Sequence, residues 1–598
     1  MPHDSELECK LYDFTKSSSD KCPPQTKKHS QDLQPQTFLQ KWLGIPTDSQ
    51  SCLEQLNFIK LSAGQIIYDK IMCPPNPIGH YRSIMRLATS YEQWSTAAAI
   101  LDQLEGKEDW KQDPISPDYD YELILTRLGQ LRKARAEKDY PSMMYLMRTS
   151  LSRNFGDVGK MQLYSHTHIG TKTLIEAYTA EVVRLLNMIG DAETSVLDLP
   201  SKYEFFLNTR KAFGRTALLL SGGATLGLNH LGVCRALSEA KLLPRIISGA
   251  SSGSIIAALV CTNNDDELER MLNDGDVNMN AFDNGSRQDI IMNSLSRLLK
   301  TGVLFDTQIL VECIKGLTGN YTFQEAYNKT RRILNIPVSS STVYEMPSLL
   351  NYVTAPNVLI WSAVAASCSV PLVFESTPIY AKDRNGKIVP WNPTGSRWID
   401  GSVENDLPMN KLAEMFNVNH FIVCQVNPHV VPFLEKSAIT SQKSKVLDWT
   451  MSLARSELQH RLQQLGELGV MKSFVYRMQN ILSQKYVGDI TIVPDMSYSD
   501  FTRIFTNPSQ EDVLEAVSRG EKALWPKMSI IKNHCLLELC IDEIIYRLRI
   551  QMFTQTHGSN GLHSPEDPEP TMRPLPRSAS ISQFHKIRQL ALTGLTSL

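Results

Sequence analysis

Three short stretches bring reactive side chains together with bare backbone. The first is Gly249-Ala250-Ser251-Ser252-Gly253. It follows an apolar run at 245–248 and precedes a helix-patterned run at 254–261. A serine among small residues in that setting fits a sharp strand-to-helix turn that lifts its hydroxyl above a sheet. The helix behind it would supply backbone N–H groups and a positive dipole end. Such a serine becomes an acyl-transfer nucleophile once a base takes its proton. Taken alone, the pattern reads first as a glycine-serine turn; the strand-to-helix setting brings the nucleophile reading level with it. The second stretch is Ser221-Gly222-Gly223-Ala224-Thr225-Leu226-Gly227, after the apolar run Thr216–Leu220. Its glycines leave N–H groups open to a developing oxyanion. It matches neither the P-loop nor the dinucleotide glycine pattern. The third is Asp400-Gly401-Ser402, after Arg397-Trp398-Ile399. An acid at the end of an apolar segment can project into a site at the carboxyl edge of a sheet. Taken alone, it reads first as a turn or cap aspartate.

The surrounding elements say what must position these residues. From Thr216, short apolar runs alternate with amphipathic stretches: TALLL, GLNHLGVCRALSEAKLL, RIISGAS, SGSIIAALV. Strand–helix–strand–helix order predicts an α/β fold, a mostly parallel sheet covered by helices. The pattern resumes with HFIVCQV at 420–426 and ITIV at 490–493. Thr322 and Glu325 fit a capping box opening the helix that contains AYNKTRRIL. Ahead of the sheet, YELILTRLGQLRKARAEKDYPSMMYLM and IEAYTAEVVRLLNMI carry apolar residues at helical spacing. Five regions result: a disordered arm at 1–55, a helical domain at 56–210, a catalytic core at 211–430, a helical and strand extension at 431–550, and a disordered Pro- and Ser-rich tail at 551–598.

Composition narrows the function classes. The chain has 598 residues, 42% hydrophobic, enough for two domains and a substantial core. A formal net charge of −2 gives no global basic field for nucleic acid. No apolar run approaches the roughly 18–20 residues of a spanning helix. Met1–Lys10 lacks a charged-then-apolar secretory pattern. The eleven cysteines are scattered without a C-x-x-C pair, which suits reduced thiols better than disulfides or zinc. The Asn-x-Thr matches at Asn320 and Asn328 then carry little weight, since glycosylation needs the secretory path.

The three motifs stand in the order and contexts of the patatin-like family, which pairs a glycine-rich oxyanion loop, a G-x-S-x-G serine and a D-G-[GA] aspartate. Here they read GGATLG, GASSG and DGS, and SAVAASCSVPLVFE (362–375) is similar to a helical stretch the family carries between serine and aspartate. More closely, the chain resembles the fungal and plant triacylglycerol lipases of lipid droplets, which carry a helical domain ahead of the patatin core. FGRTALLLSGGATLG, EAKLLPRIISGASSGS, LNYVTAPNVLIWSAVAASC and MFNVNHFIVCQVNPH carry that likeness, over about 56–545. The resemblance implies a three-layer α/β/α patatin-like core and a Ser–Asp dyad. In it Ser251 is the nucleophile and Asp400 its base. Gly222, Gly223 and Ala224 give the oxyanion-hole N–H groups, and Gly249 and Gly253 shape the elbow. It implies no metal and no cofactor, a triacylglycerol substrate, and residence on lipid droplets with a cytosolic or endoplasmic-reticulum-associated pool. Two positions depart from the broader family: Leu226, where Arg is frequent, and Ser402, where Gly or Ala is usual. The first mildly favours neutral lipid over phospholipid. The His-x4-Asp acyltransferase motif of some members is not present among the thirteen histidines.

Other readings stay open at this point: a phospholipase or lysophospholipase using the same dyad, an inactive lipid-droplet scaffold, and a Ser–Asp–His triad using His420 or His429. Arg577-Ser578-Ala579-Ser580 fits a basophilic kinase acting on Ser578 or Ser580. Two amphipathic runs lie within 445–485, and the more basic one, 471–485, is the candidate for docking on a lipid surface. Ser252 and Ser254 are expected to face the helix that follows the elbow rather than the site.

Overall fold

The computed structural model describes residues 76–274, 302–340, 348–370, 373–391, 398–400, 406–427, 486–497, 503–558 and a few single positions between them. Before the sheet come helices α1 (Pro77–Leu87), α2 (Tyr91–Leu104), α3 (Lys107–Gln112) and α4 (Tyr121–Ala136). They are followed by α5 (Tyr140–Ser150), α6 (Gln162–Ser165), α7 (Thr173–Asp191) and α8 (Leu199–Phe213). Their ends follow ordinary capping chemistry. Ser90, Asp120, Asp139 and Asp198 each accept a first-turn N–H. Gly214 terminates α8 at φ 80°, where L side chains are strained. The periodic run at 121–147 is two helices, because Lys138 takes a left-handed φ of 51° before the Asp139 cap.

The sheet region runs β1 (Arg215–Leu220), α9 (Asn229–Glu239), β2 (Ile246–Gly249), α10 (Ser252–Thr262), α11 (Asp265–Asp274), α12 (Thr307–Thr318) and α13 (Phe323–Thr330). Next come β3 (Ile333–Ser340), β4 (Ser348–Leu350), α14 (Ile360–Cys368), β5 (Tyr380–Lys382), β6 (Ile388–Pro390) and β7 (Trp398–Asp400). The last elements are α15 (Met409–Phe416), β8 (Val418–Cys424), β9 (Ile490–Ile492), α16 (Gln510–Leu524) and α17 (Met528–Gly558). Strand order is β4-β3-β2-β1-β8-β9, with β7 paired to β3. β3, β2, β1, β8 and β9 run parallel, while β4 and β7 are antiparallel to β3. The mostly parallel α/β architecture read from the alternating pattern is the observed one. The capping box at Thr322 and Glu325 is formed. Its helix stops at Thr330, and Ile333 onward is strand β3.

A parallel sheet with both faces covered needs strands apolar on both sides. Ala217, Leu218, Leu219 and Leu220 of β1 are all fully buried. One face packs into a core that also holds Leu185 and Phe206 of the preceding helices and Ile541 and Ile544 of α17. The other face packs on α15 through Leu412 and Phe416. Burying such side chains is worth roughly 1.5–3 kcal/mol each. One expectation fails at the C-terminal side. The composition assigns residues 551–558 to the tail, but α17 continues through them to Gly558. Their sequence, QMFTQTHG, contains no proline, and the Pro- and Ser-rich composition begins only beyond it. Residues 1–75 and 559–598, with Ser578 and Ser580, lie outside the described residues, as does 471–485.

Candidate active site

β2 ends at Gly249, and the chain turns through Ala250 and Ser251 into α10. Ser251 carries φ 49° and ψ −126°, a conformation L residues rarely adopt, so the turn stores strain at the serine. Both flanking glycines are required by space. A Cβ on Gly249 would strike the Gly253 carbonyl, and one on Gly253 would strike the Leu220 carbonyl. The elbow is further tied by Ala250 N–H to Leu220 O at 3.2 Å and Ser254 Oγ to Ser251 O at 2.6 Å. Ser251 N–H donates to Ser367 Oγ at 3.2 Å, and Ser367 Oγ donates to Pro337 O at 2.9 Å, which fastens the elbow to α14 and β3.

Strand register places the backbone of Asp400 at the same spot. Val338 pairs with Ser348 of β4 and also with Asp400 of β7, so those strands flank opposite edges of β3. β2 shares the edge away from β4, and its pairing with β3 ends at Ser248 opposite Asn335. β7 therefore enters β2's lane beyond β2's end. Asp400, opposite Val338, holds the level that residue 251 would occupy if β2 ran straight on. The chain leaves the lane at the elbow, and the strand ending in Asp400 takes it over. The side chain of Asp400 and residues Gly401 and Ser402 lie outside the described part.

The glycine loop follows β1, whose last residue pairs with Gly249. Gly223 (φ 157°) and Ala224 (φ 50°) are both in positive-φ conformations. A Cβ on Gly222 would come within 3.3 Å of Ser251 Cβ, so loop and serine are neighbours. Among the described residues, the N–H groups of Gly223 and Ala224 have no acceptor. Gly222 differs: its N–H donates to Asp406 Oδ1 at 3.0 Å. Of the three N–H groups expected as oxyanion donors, that of Gly222 is held by a carboxylate. His230, fully buried, supports the loop: its Nε2 sits 2.9 Å from Ser221 O and its Nδ1 3.0 Å from Cys424 Sγ. Burial pushes His230 down to about 4 and the Cys424 thiol well up, so both are neutral near pH 7. A neutral imidazole donating to the carbonyl and accepting from the thiol satisfies all three groups.

An apolar cleft opens beside the serine, with Ser251, Ala224, Ile255, Leu310 and Val373 in its walls. Phe282, Phe374 and Phe505 also line it, and with Phe305 they form a cluster of rings 5.1–6.2 Å apart. Carbon-lined space beside Ser251 suits an apolar ligand such as an acyl chain. Ser252 also lines the cleft, contrary to the expectation that it faces the helix, and its buried hydroxyl has no partner among the described residues. Leu226 is 4% exposed, so this position offers nothing to a headgroup.

Sequence reasoning missed Asp406, Asn427, Ser367 and the phenylalanines. His420, weighed as a triad member, pairs in register with Thr216 at the opposite end of β1 from the elbow. Four strand residues of about 3.3 Å each separate that level from Leu220. His429 lies outside the described residues. Among the described residues no three His, Cys, Asp or Glu side chains gather as a metal site, and no helix is long and apolar enough to cross a membrane.

Comparison with known proteins agrees with this layout. Residues 218–413 match the model for patatin-like phospholipase, and 75–211 match a domain of unknown function, DUF3336. Triacylglycerol lipase 4 of Saccharomyces cerevisiae is 42% identical over 78% of this chain and 53% of its own length. Triacylglycerol lipase ptl3 of Schizosaccharomyces pombe is 38% identical over 78% of this chain and 96% of its own length. Triacylglycerol lipase SDP1L of Arabidopsis thaliana is 40% identical over 78% of this chain and 58% of its own length. The chain thus spans about half the length of two of these relatives and nearly all of the third. With the G-x-S-x-G elbow, the glycine loop and the strand end at Asp400 brought to one edge of the sheet, and with these relatives and the match over 218–413, the chain belongs to the patatin-like phospholipase family.

Proposed function

We propose that the protein is a serine lipase that hydrolyses acyl esters of triacylglycerol through an acyl-enzyme. The observation that carries this reading is an apolar cleft walled by Ser251 and Ala224, beside two backbone N–H groups without acceptors among the described residues. An acyl chain lies along the phenylalanine-lined wall with its ester carbonyl over Ser251. Asp400 takes the serine proton as Oγ attacks the carbonyl carbon. The tetrahedral oxyanion is held by the N–H groups of Gly223 and Ala224; one such donor is worth about 3–4 kcal/mol in other hydrolases. The oxyanion collapses, the C–O bond to the glycerol breaks, and diacylglycerol leaves with the proton from Asp400. Water then attacks the acyl-serine with Asp400 as base, freeing the fatty acid. The relatives named triacylglycerol lipases support the substrate, and the buried Leu226 favours neutral lipid over phospholipid.

In this reading the enzyme works at a lipid-droplet surface, and 471–485 and the kinase sites Ser578 and Ser580 remain part of the proposal. Assay of purified protein on triacylglycerol, diacylglycerol and phospholipid dispersions tests it. Triacylglycerol hydrolysis lost in both Ser251→Ala and Asp400→Asn is the expected result. Preference for phospholipid would move the reading to the phospholipase alternative, and no hydrolysis of any ester to the scaffold.

A further inference from the structure

Asp406 is a carboxylate only 2% exposed, placed within one glycine of the nucleophile. Its Oδ1 accepts the Gly222 N–H at 3.0 Å and its Oδ2 accepts Asn427 Nδ2 at 2.7 Å. A Cβ built on Gly222 would lie 3.3 Å from Ser251 Cβ, 3.4 Å from Asn427 Oδ1 and 3.7 Å from Asp406 Oδ1. Three separate segments therefore converge on this one peptide: the β1 loop, the turn before α15 and the loop after β8. The β1 and β8 loops are also stitched directly. Val426 N–H donates to Ser221 Oγ at 2.9 Å, and Ser221 N–H donates to Cys424 O at 3.1 Å.

A buried carboxylate is costly to keep unless its hydrogen bonds do something a neutral group could not. Here two of its donors are an amide of the glycine loop and a side chain that touches the same loop. Holding the Gly222 N–H fixes the 221–222 peptide plane. The Gly223 and Ala224 peptides follow directly, in backbone conformations that are not otherwise favoured. An oxyanion hole needs donors held to about half an ångström before the charge develops.

We propose that Asp406 and Asn427 form a positioning pair for the oxyanion loop. The pair binds neither substrate nor the reacting atoms. The Asp406 carboxylate holds Gly222 back, so that the next two N–H groups are presented to the ester oxygen. This rests on the reading of Ser251 as nucleophile.

The experiment uses the full-length protein and two esters, a triacylglycerol emulsion and a soluble short-chain ester. Asp406→Asn should lower kcat on both by roughly 10- to 100-fold with KM changed less than about twofold, since the loss is confined to the transition state. Exchanging the pair, Asp406→Asn with Asn427→Asp, should recover most of the lost kcat. In the exchanged pair the amide at position 406 still offers an oxygen to Gly222 N–H, and its NH2 donates to the carboxylate at position 427. A purely structural role predicts instead that kcat falls in step with thermal stability and that the exchange restores neither. The proposal is overturned if folded Asp406→Asn keeps kcat within about twofold of wild type, or if the folded exchange variant shows no recovery. Ser251→Ala, run alongside, separates the two readings. Full activity in that variant removes the serine mechanism, whereas an inactive Ser251→Ala beside an unimpaired Asp406→Asn removes only the positioning pair.

Discussion

Two buried carboxylates sit at opposite ends of the same sheet and are treated in opposite ways. At the end where β1 begins, Glu538 of α17 accepts from Arg210 Nη2 at 2.9 Å, Thr216 N at 3.0 Å, Arg153 Nη2 at 3.1 Å and Thr216 Oγ1 at 2.6 Å. Burial alone would raise its pKa, but Arg210 and Arg153 outweigh burial and hold it below the ordinary carboxylate value. At the elbow end, Asp406 accepts from neutral donors, Gly222 N–H and Asn427, and burial pushes it up to about 6. One end of the sheet is tied by charge-assisted bonds from two guanidiniums to one carboxylate. The other carries a strained serine, N–H groups without described acceptors and a carboxylate near its titration point. The first end locks helices α8 and α17 onto the sheet; in the proposed function, the second gives up stability so that bond donors are ready for a reacting group. Locating chemistry at the carboxyl ends of parallel strands follows the general rule for open α/β sheets.

The sharpest way to break this contrast is to remove one group from each end. Ser251→Ala should reduce ester hydrolysis by at least about ten-thousand-fold. Its unfolding temperature should match or exceed that of wild type, because alanine removes no structural bond made by the serine hydroxyl among the described residues. A large loss of stability would mean that the elbow end is structural as well. Glu538→Ala should do the reverse. It leaves Arg153 and Arg210 short of their shared partner, a cost of about 3–5 kcal/mol. Denaturant midpoints should fall strongly, while kcat per folded molecule stays near wild type. A kcat loss at unchanged midpoint would show that the two ends are coupled.

Solution pH sharpens the same comparison, because the two carboxylates respond with opposite sign. Glu538 has a lowered pKa, so its stabilisation is present near neutrality and disappears as pH falls below the ordinary carboxylate value of 4.5 through its own. Asp406 goes from 3.8 to about 6 on folding. Between those values the folded chain holds a proton that the unfolded chain has lost. Its contribution therefore lowers stability by up to about 3 kcal/mol as pH rises from about 4 to about 6, and by no more above that. Activity should move the other way over the same range, since protonated Asp406 has one fewer acceptor oxygen for Gly222 N–H and Asn427. Measured against Asp406→Asn, wild type should show an extra decline in unfolding free energy between about pH 4 and 6. Parallel curves for the two would mean that Asp406 does not titrate there.

How much of this was readable in the sequence depends on how local the cause is. The elbow was readable because glycine, serine and the flanking apolar runs lie within about fifteen residues, and only small residues fit that turn. The parallel sheet was readable from the alternation of strand- and helix-patterned runs. Asp400 could be named through a family likeness, but the reason its backbone arrives beside Ser251 lies in the shared pairing of β3 with β2, β4 and β7. No local pattern encodes that pairing. Asp406 was missed because its environment is made by Gly222 and Asn427, from distant parts of the chain. Nothing in ENDLPMN distinguishes a buried carboxylate from a helix-capping one. Gly222 was assigned to the oxyanion hole by the same likeness. That Asp406 had already taken its N–H could be seen only once both residues were placed.

The cleft gives the smallest effect and the finest test of what the elbow end recognises. Phe505 is 44% exposed, whereas Phe282, Phe305 and Phe374 around it are 8%, 6% and 7% exposed. It stands 6.2 Å from Phe282 and 6.1 Å from Phe305. The carbonyls on either side of it bind the glycine loop: Thr225 N–H donates to Ile504 O at 3.2 Å, and Thr225 Oγ1 lies 2.6 Å from Ile504 O and 3.2 Å from Thr506 O. Phe505 thus belongs both to the apolar wall and to a segment fastened to the glycine loop, and Phe505→Ala separates those roles. If the ring serves as a wall for the acyl chain, its loss removes apolar contact worth about 1–2 kcal/mol for substrates long enough to reach it. kcat/KM for a long-chain ester should then fall about tenfold, while that for a butyrate ester stays within about twofold. An equal fall on both would mean that the ring acts through the Thr225 bonds on the oxyanion loop. Chain-length preference would then have to come from the deeper rings, Phe282 and Phe374, which no short ester would report.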